Sequence, residues 1–506
     1  MSSGLLVIVG DALLDRDVDG RADRLCPDAP APVVEDATSR ARPGGAALAA
    51  LLAAREVVLI APLGGDPASK TVLETLPDAV TVIPLPLTGR LPEKTRIRVD
   101  GRTLLRVDNP AGSPGRAGRR AAAAIKSAGA VLVSDYGRGT TADATLRDAL
   151  ATRAGQVPVI WDPHPRGAAP VPGTLLATPN EAEAAAAAGG RAGALRDAAA
   201  AAGQLLGRWP AQAIAVTLGA RGALLARRGQ APLAVPATPV PAADPCGAGD
   251  RFAVAAAAAL CDGAVLSEAV TWAVAAAGRY LAEGGVSQLD TAGQVTANTA
   301  TATGDDAAEA VTRAAADGVL VAAGGCFDVL HAGHVAMLHA ARALGDTLVV
   351  CMNSDESVRR LKGPGRPINP AADRAAVLCA LDCVDQVLTF DEDTPERLLA
   401  ELRPDIWVKG GDYDGRELPE AAVLRRWGGL AVTVPYLDGR STTRIASAAA
   451  LALRDRDAAR VKGSGLPSDR RHRRCPAPRS PAAGWRGWPR PAPPGWTWPP
   501  VPATRR

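Results

Sequence analysis

Two short stretches of this chain carry residue types able to move phosphate groups. The first, GGCFDVLHAGH at 324–334, places His331 and His334 three positions apart in a chain with only five histidines. Residues three apart on a helix share a face, so at a helix start both imidazoles would reach one spot. The helix's free N–H groups and positive dipole end face the same spot, which suits a phosphate gaining charge. Gly333 between them lets the backbone approach closely. His-x-x-His spacing also suits zinc, but no further Cys, His or Glu cluster sits nearby to complete the coordination. The second stretch is DPCGAGDRF at 244–252. There Gly247, Ala248 and Gly249 open a helix, so their amides form an anion hole for a transferring phosphoryl group. Asp250 stands where it could take a proton from a hydroxyl. By itself GAGD is a weak signal in a chain so rich in Gly and Ala. A Gly-rich helix cap with a capping Asp is the bland alternative.

The elements needed to position these residues are legible in the pattern around them. From 5 to about 290, short apolar runs alternate with Ala-rich helical stretches: LLVIVG (5–10), VVLIAPLG (57–64), AVLVSDYG (130–137), VPVIWDP (157–163), GTLLATPN (173–180) and AIAVTLG (213–219). Most end in Gly, Asp, Asn or Pro. This predicts a mostly parallel sheet with ligand groups at the strand carboxyl ends. TRIRVDGRTLLRVD (95–108) instead alternates around Asp-Gly, as a hairpin flap does. Residues 291–316 lack an apolar period and read as a linker. A second α/β pattern runs from VLVAAGG (319–325) through DTLVVCMNSD, QVLTF and DIWVKGGD to LAVTVPY (430–436). The last 44 residues hold eleven Pro, nine Arg and four of the nine Trp, a composition that predicts disorder.

Composition excludes several function classes. The net charge of +4 comes from that tail, whose nine arginines face one aspartate. The remaining body is mildly acidic and offers no basic nucleic-acid face. Eight cysteines form no CxxC pair, which reads as free thiols in a reducing cytoplasm. LLVIVG is too short for a signal segment, and no run approaches the ~18 apolar residues of a membrane span. The expectation is a cytoplasmic protein with no membrane and no nucleic-acid partner.

The motifs carry two resemblances. GGCFDVLHAGH, followed by GDTLVVCMNSDESVRRLKGPGRP and Arg374, resembles the cytidylyltransferase-type nucleotidyltransferase family from 319 to about 450. Within it, RLKGPGRPINP, FDEDTPERLL, RPDIWVKGGDY and DGRSTT are most similar to bacterial heptose 1-phosphate adenylyltransferases. The resemblance implies that His331 and His334 stabilise the transition state at phosphorus. It implies that Gly325, Phe327, Lys362, Arg374, Asp412, Ser441, Thr442 and Thr443 bind ATP, with Lys362 and Arg374 neutralising phosphate charge. Asp328 is open between capping the HAGH helix and touching a ligand, and Asp412 between nucleotide contact and an ordinary loop aspartate. Residues 5–290 resemble the ribokinase-like carbohydrate kinases through GDALLD (10–15), PGGAALAA (43–50), SDYGRG (134–139), TPNEAEAA (178–185) and GAGD. That implies Asp250 as catalytic base and Gly247, Ala248 and Gly249 as anion hole. Asp15, Gly44 and Gly45 would hold the sugar. Asn180, Glu181, Ala182 and Glu183 would serve ATP, with Mg²⁺ held through water near Glu183 rather than by a direct protein ligand. A helix-surface carboxylate is the plainer reading of Glu183. Leu48, Cys246 and Arg251 depart from the family pattern.

Together these imply an α/β protein: a ribokinase-like three-layer domain with a β flap (1–292), a linker (293–316), a smaller Rossmann-like nucleotidyltransferase domain (317–455) and a disordered tail (456–506). The order of blocks is that of enzymes that phosphorylate a heptose 7-phosphate at C1 and join heptose 1-phosphate to AMP. ATP and Mg²⁺ would serve both reactions, and the flap would carry a homodimer contact. Two other readings remain at this point: a kinase fold kept only as a dimerisation scaffold, with Leu48 impairing its pocket, and a transferase that uses CTP with another alcohol phosphate. Truncation at about residue 460 should leave both activities intact, measured by ADP and pyrophosphate release, because the tail owns no motif.

Overall fold

The computed structural model describes residues 4–99, 102–109, 112–240, 245–288, 318–410 and 418–435. The expectations for the 293–316 linker, Asp412, Ser441, Thr442, Thr443 and the tail lie outside these residues. The first strand, Leu6–Gly10, is buried along its whole length, as a run of LVIVG must be when helices cover both sheet faces. Strands Val57–Pro62, Ala130–Ser134, Val159–Asp162, Thr174–Ala177 and Ala211–Thr217 join it in parallel register, with Val80–Leu85 at one edge. Two antiparallel strands, Ala223–Arg227 and Leu233–Val235, close the other side.

The later residues build a second parallel set: Leu320–Gly325, Thr347–Asn353, Gln386–Phe390, Ile406–Gly410 and Leu430–Val434. The sequence predicts two separate sheets here. The structure runs them into one sheet of fourteen strands, with Leu233 opposite Thr433. The Thr433 amide donates to the Pro232 carbonyl at 2.9 Å. Each set brings a strand edge that would otherwise leave backbone groups unpaired, and pairing satisfies them.

The flap is larger than the predicted hairpin. Ala12–Leu25 and Pro32–Gly45, each fourteen residues long, pair with one another, and Glu93–Val99 and Arg102–Asp108 extend them to four strands. GDALLD therefore runs into a strand. The reason lies in the period-two charges of DRDVD: Asp15 and Asp17 fall on one face and are buried. Arg42, itself buried, pairs with Asp17, and Arg96 and Arg98 reach the same carboxylates at 3.4–3.6 Å. Buried charges persist when paired in this way. The outermost strand, Arg102–Asp108, is exposed throughout, with Leu104 and Leu105 about half open to solvent. Among the described residues, no helix is long and apolar enough to cross a membrane.

Trp161 is fully buried in the centre of the first parallel set. Trp161→Ala should cost about 3–5 kcal/mol of stability, measured by denaturant unfolding.

Candidate active sites

Three neighbouring parallel strands bring their carboxyl ends together in the first half. Asp11 follows Leu6–Gly10, and its buried carboxylate accepts the backbone N–H groups of Tyr136 (3.0 Å), Arg138 (3.0 Å) and Thr140 (3.2 Å). Asp135 accepts from the Thr141 hydroxyl and the Gly137 amide. The SDYGRG loop is thereby fixed, and the Tyr136 hydroxyl donates to both carboxylate oxygens of Asp250, at 2.8 and 2.9 Å. Asp250 lies in the first turn of helix Ala248–Cys261 and is only 7% exposed. Burial pushes its carboxyl up to about 7, against the opposing Tyr136 hydrogen bond. Asp162, at the end of the third strand, is raised well above the ordinary range by burial and then by the charge of Asp250.

Gly247 caps that helix with φ +79°. A Cβ there would sit 2.6 Å from the Tyr280 hydroxyl, so glycine is required both by conformation and by space. A Cβ at Gly249 would meet open space. Asp15 stands against Gly44, where an added Cβ would come 2.6 Å from its carboxylate, and Gly45 stands beside the Tyr136 ring. Asp15, Gly44, Gly45, Gly247, Ala248 and Asp250 thus share one region. The three departures all have packing roles. Leu48 is buried against the Gly247 turn, Cys246 Sγ accepts from Arg96 at 3.7 Å, and Arg251 donates to the Leu52 carbonyl.

The TPNEAEAA block opens a helix. Asn180 and Glu183 form a reciprocal capping box on helix Glu181–Ala188, with both bonds 2.9 Å. Glu181 pairs with Arg221 at 2.6 Å and accepts from the Gly193 amide. Its carboxylate is committed inside the protein, and Ala182 is exposed on the same turn. Glu183 is raised by burial and lies close enough to Asp162 to raise it in turn.

In the second half, strand Leu320–Gly325 ends at the GGCFD turn, where Phe327 adopts φ +45°. A non-glycine residue in that region is a sign of local constraint. Helix Ala332–Arg342 begins at His331, and the His331 and His334 rings stack with centroids 3.9 Å apart. The Phe327 ring lies 5.2 Å from His334. A cleft of about 190 Å³ is lined by Gly324, Gly325, Phe327, Gly333, His334 and Gly410, among others. Burial, then the neighbouring His331 and Lys362, lowers His334 to about 4, so the ring is neutral at pH 7. Lys362, exposed at the end of helix Asp355–Lys362, faces this pair.

Two residues stand elsewhere than their expected roles place them. Arg374, expected on phosphates, is 2% exposed and spends its guanidinium on the carbonyls of Cys326 (2.5 Å), Asn353 (2.9 Å) and Asn369 (3.0 Å) and on Asp355 (2.7 Å). It braces the phosphate turn from behind. Asp328 does not cap the HAGH helix. It accepts from Arg366 at 2.6 Å and from the Ile368 amide at 2.5 Å, pinning the GPGRPIN loop. Burial opposes its charge, but Arg366 and these amides hold it below the ordinary carboxylate range. Among the described residues the only His/Cys/Asp/Glu group close enough to share a metal is His339, Asp382 and Cys383, which lies outside both sites. Sequence reasoning missed Asp11, Tyr136 and Asp162. Their signal was position: each is at or just beyond the carboxyl end of a parallel strand, where such sheets bind ligands.

Residues 3–292 match the pfkB family of carbohydrate kinases, and residues 322–445 match the cytidylyltransferase-like family. The bifunctional protein HldE of Streptomyces coelicolor is 57% identical over 452 residues, covering 88% of this chain and 96% of that protein. Those of Alcanivorax borkumensis and Edwardsiella ictaluri are 38% and 37% identical, covering 87% of this chain and 96% and 95% of theirs.

Gly247→Ala should lose roughly 1–3 kcal/mol through strain at positive φ, seen as a lower Tm. Gly249→Ala, with no clash to relieve, should leave Tm nearly unchanged.

Proposed function

The chain belongs to the family of bifunctional HldE proteins, a pfkB-type carbohydrate kinase joined to a cytidylyltransferase-like domain, and on that premise we propose how its two sites divide the work. The first half phosphorylates the anomeric hydroxyl of D-glycero-β-D-manno-heptose 7-phosphate. The second couples the 1-phosphate of that sugar to AMP from ATP, giving ADP-heptose and pyrophosphate. A separate phosphatase must remove the 7-phosphate between the steps. The two matched regions support a kinase domain over 1–292 and a transferase domain over 317–455, with 293–316 as the linker.

In the kinase site Asp250 takes the proton of the sugar hydroxyl as its oxygen attacks the γ-phosphorus, and ADP leaves. The Gly247 and Gly249 amides face the phosphoryl group in flight, while the Ala248 amide, expected beside them, donates to the Pro245 carbonyl at 3.2 Å. The observation that carries this reading is Asp250 itself, buried, held by Tyr136 and placed at the helix start beside Asp15 and Gly44. Asp15 binds sugar hydroxyls. Leu48 fills apolar space behind the Gly247 turn and leaves Asp250 in place, which supports an active kinase. Mg²⁺ would neutralise charge on the ATP phosphates. Glu183, whose burial disfavours its lone charge, fits a water-bridged ion.

In the transferase site a phosphate oxygen of the sugar attacks the α-phosphorus and pyrophosphate departs. His331 and His334 donate to the phosphorus-bound oxygens, and Lys362 supplies the mobile positive charge. Gly325 and Phe327 line the cleft for the nucleotide, and Arg374 holds the turn that carries them. Both reactions consume ATP, which supports a cytoplasmic enzyme. The exposed edge strand Arg102–Asp108, with Leu104, Leu105 and Val107 open to solvent, supports a homodimer through the flap.

Asp250→Asn should abolish ATP- and sugar-dependent ADP release by at least about 100-fold, as expected for loss of a general base, and spare pyrophosphate release. His334→Ala should do the reverse. Loss of both activities in either variant would overturn the assignment of independent sites. Because Asp250 must be ionised to act, kinase kcat/KM should fall as pH drops below about 7, and adenylyl transfer should lack that limb.

A further inference from the structure

Tyr136 is partly buried, and neither the anion hole nor sugar binding uses its hydroxyl. It spans both oxygens of Asp250, at 2.8 and 2.9 Å. The loop carrying Tyr136 is fixed independently of Asp250, because Asp11 holds the amides of Tyr136, Arg138 and Thr140. The tyrosine is therefore set in place by the strand ends, and the carboxylate is oriented by it. Lys94 lies over the Tyr136 ring, 5.2 Å from its centroid.

We infer that Tyr136 is a positioning residue of the kinase reaction, whose hydroxyl holds the Asp250 carboxylate ionised and aimed at the sugar hydroxyl. The inference rests on Asp250 being the proton acceptor. A buried carboxylate loses the hydration that stabilises its charge, and a donated hydrogen bond restores part of it. The groups facing Asp250 come from four elements. Asp15 from the first flap strand carries like charge, and Asp162 from the central sheet is itself held well above the ordinary carboxylate range by burial and by Asp250. Lys94 from the third flap strand carries opposite charge, and Tyr136 supplies a direct side-chain donor beside Asp250's own backbone amide. Glu183 faces Asp162 from behind. Burial and the charge of Asp15 oppose ionisation of Asp250, and the tyrosine donor acts against both. Burial and the charge of Asp250 push the Tyr136 phenol well above its ordinary range, which keeps the hydroxyl protonated and able to donate. As the sugar hydroxyl arrives, one carboxylate oxygen can take its proton while the other keeps the tyrosine bond.

The test is the pH profile of both activities in the full-length Tyr136→Phe protein. A hydrogen bond to a charged group is worth enough to move the acid limb of kinase kcat/KM upward by about one pH unit. At pH 6 that is roughly a tenfold slower kinase than wild type. The KM for the sugar phosphate should stay close to wild type, and adenylyl transfer should be unchanged. 3-Fluorotyrosine placed at position 136 covers the case in which the phenylalanine variant fails to fold. Its more acidic hydroxyl donates more strongly, so the limb should move the opposite way, to lower pH. An unmoved limb in both variants, a limb moved the same way in both, or a raised KM with unchanged kcat would each overturn the inference. Kinase activity retained in Asp250→Asn would instead overturn the assignment of the base. Loss in that variant with an unmoved limb at Tyr136→Phe would overturn the tyrosine's role alone.

Discussion

A buried carboxylate accepting backbone N–H groups from a loop is the constraint on which both halves depend. Asp11 does this for the SDYGRG loop and Asp328 for GPGRPIN. Each sits just beyond the first strand of its own parallel set, so each is anchored by the most rigid part of its sheet. A loop bonded through its amides can be placed to within a fraction of an ångström without filling the cleft with side chains. Removing such a carboxylate would leave several buried donors unpaired at once, which costs far more than one ordinary hydrogen bond contributes. Chemistry on phosphate needs that rigidity, because its catalysis is largely positioning and charge stabilisation.

Charge is handled in two different ways. In the flap and behind the HAGH turn, ionised groups are paired inside the protein: Arg42 with Asp17, and Arg374 with Asp355 and three carbonyls. Those residues build shape. At the sites themselves the balance is left incomplete. Asp250 is raised by burial and His334 lowered by it, and Lys362 stays exposed. A substrate carrying several negative charges completes the balance on arrival, so binding and activation are linked through the same electrostatics.

The joining of the two strand sets into one sheet bears on how the halves coexist. The residues proposed for the two reactions come from different strand ends and different helices, and neither proposed site shares a residue with the other. The halves meet through backbone pairing at Leu233 and Thr433 and through apolar packing that includes buried residues of both. Two reactions on one chain are thereby compatible with two separately tunable pockets.

The sequence by itself determined the class of the fold and the two turns where phosphate chemistry belongs. Apolar runs of strand length ending in Gly, Asp or Pro, and glycines entering helices, are local signals that hold wherever the chain goes. It also determined the paired imidazoles, since a three-residue spacing on a helix fixes their common face. Only the tertiary structure decided what each charged side chain is spent on. Arg374 looks like a ligand residue in one dimension, and in three its buried guanidinium is taken up by three carbonyls and Asp355. Tyr136 looks like an ordinary residue after a strand and turns out to bridge the carboxylate of Asp250, 114 positions away. The physical reason is that hydrogen-bond partners are chosen by proximity across strands, and a pattern read along the chain carries no information about which distant group will arrive alongside.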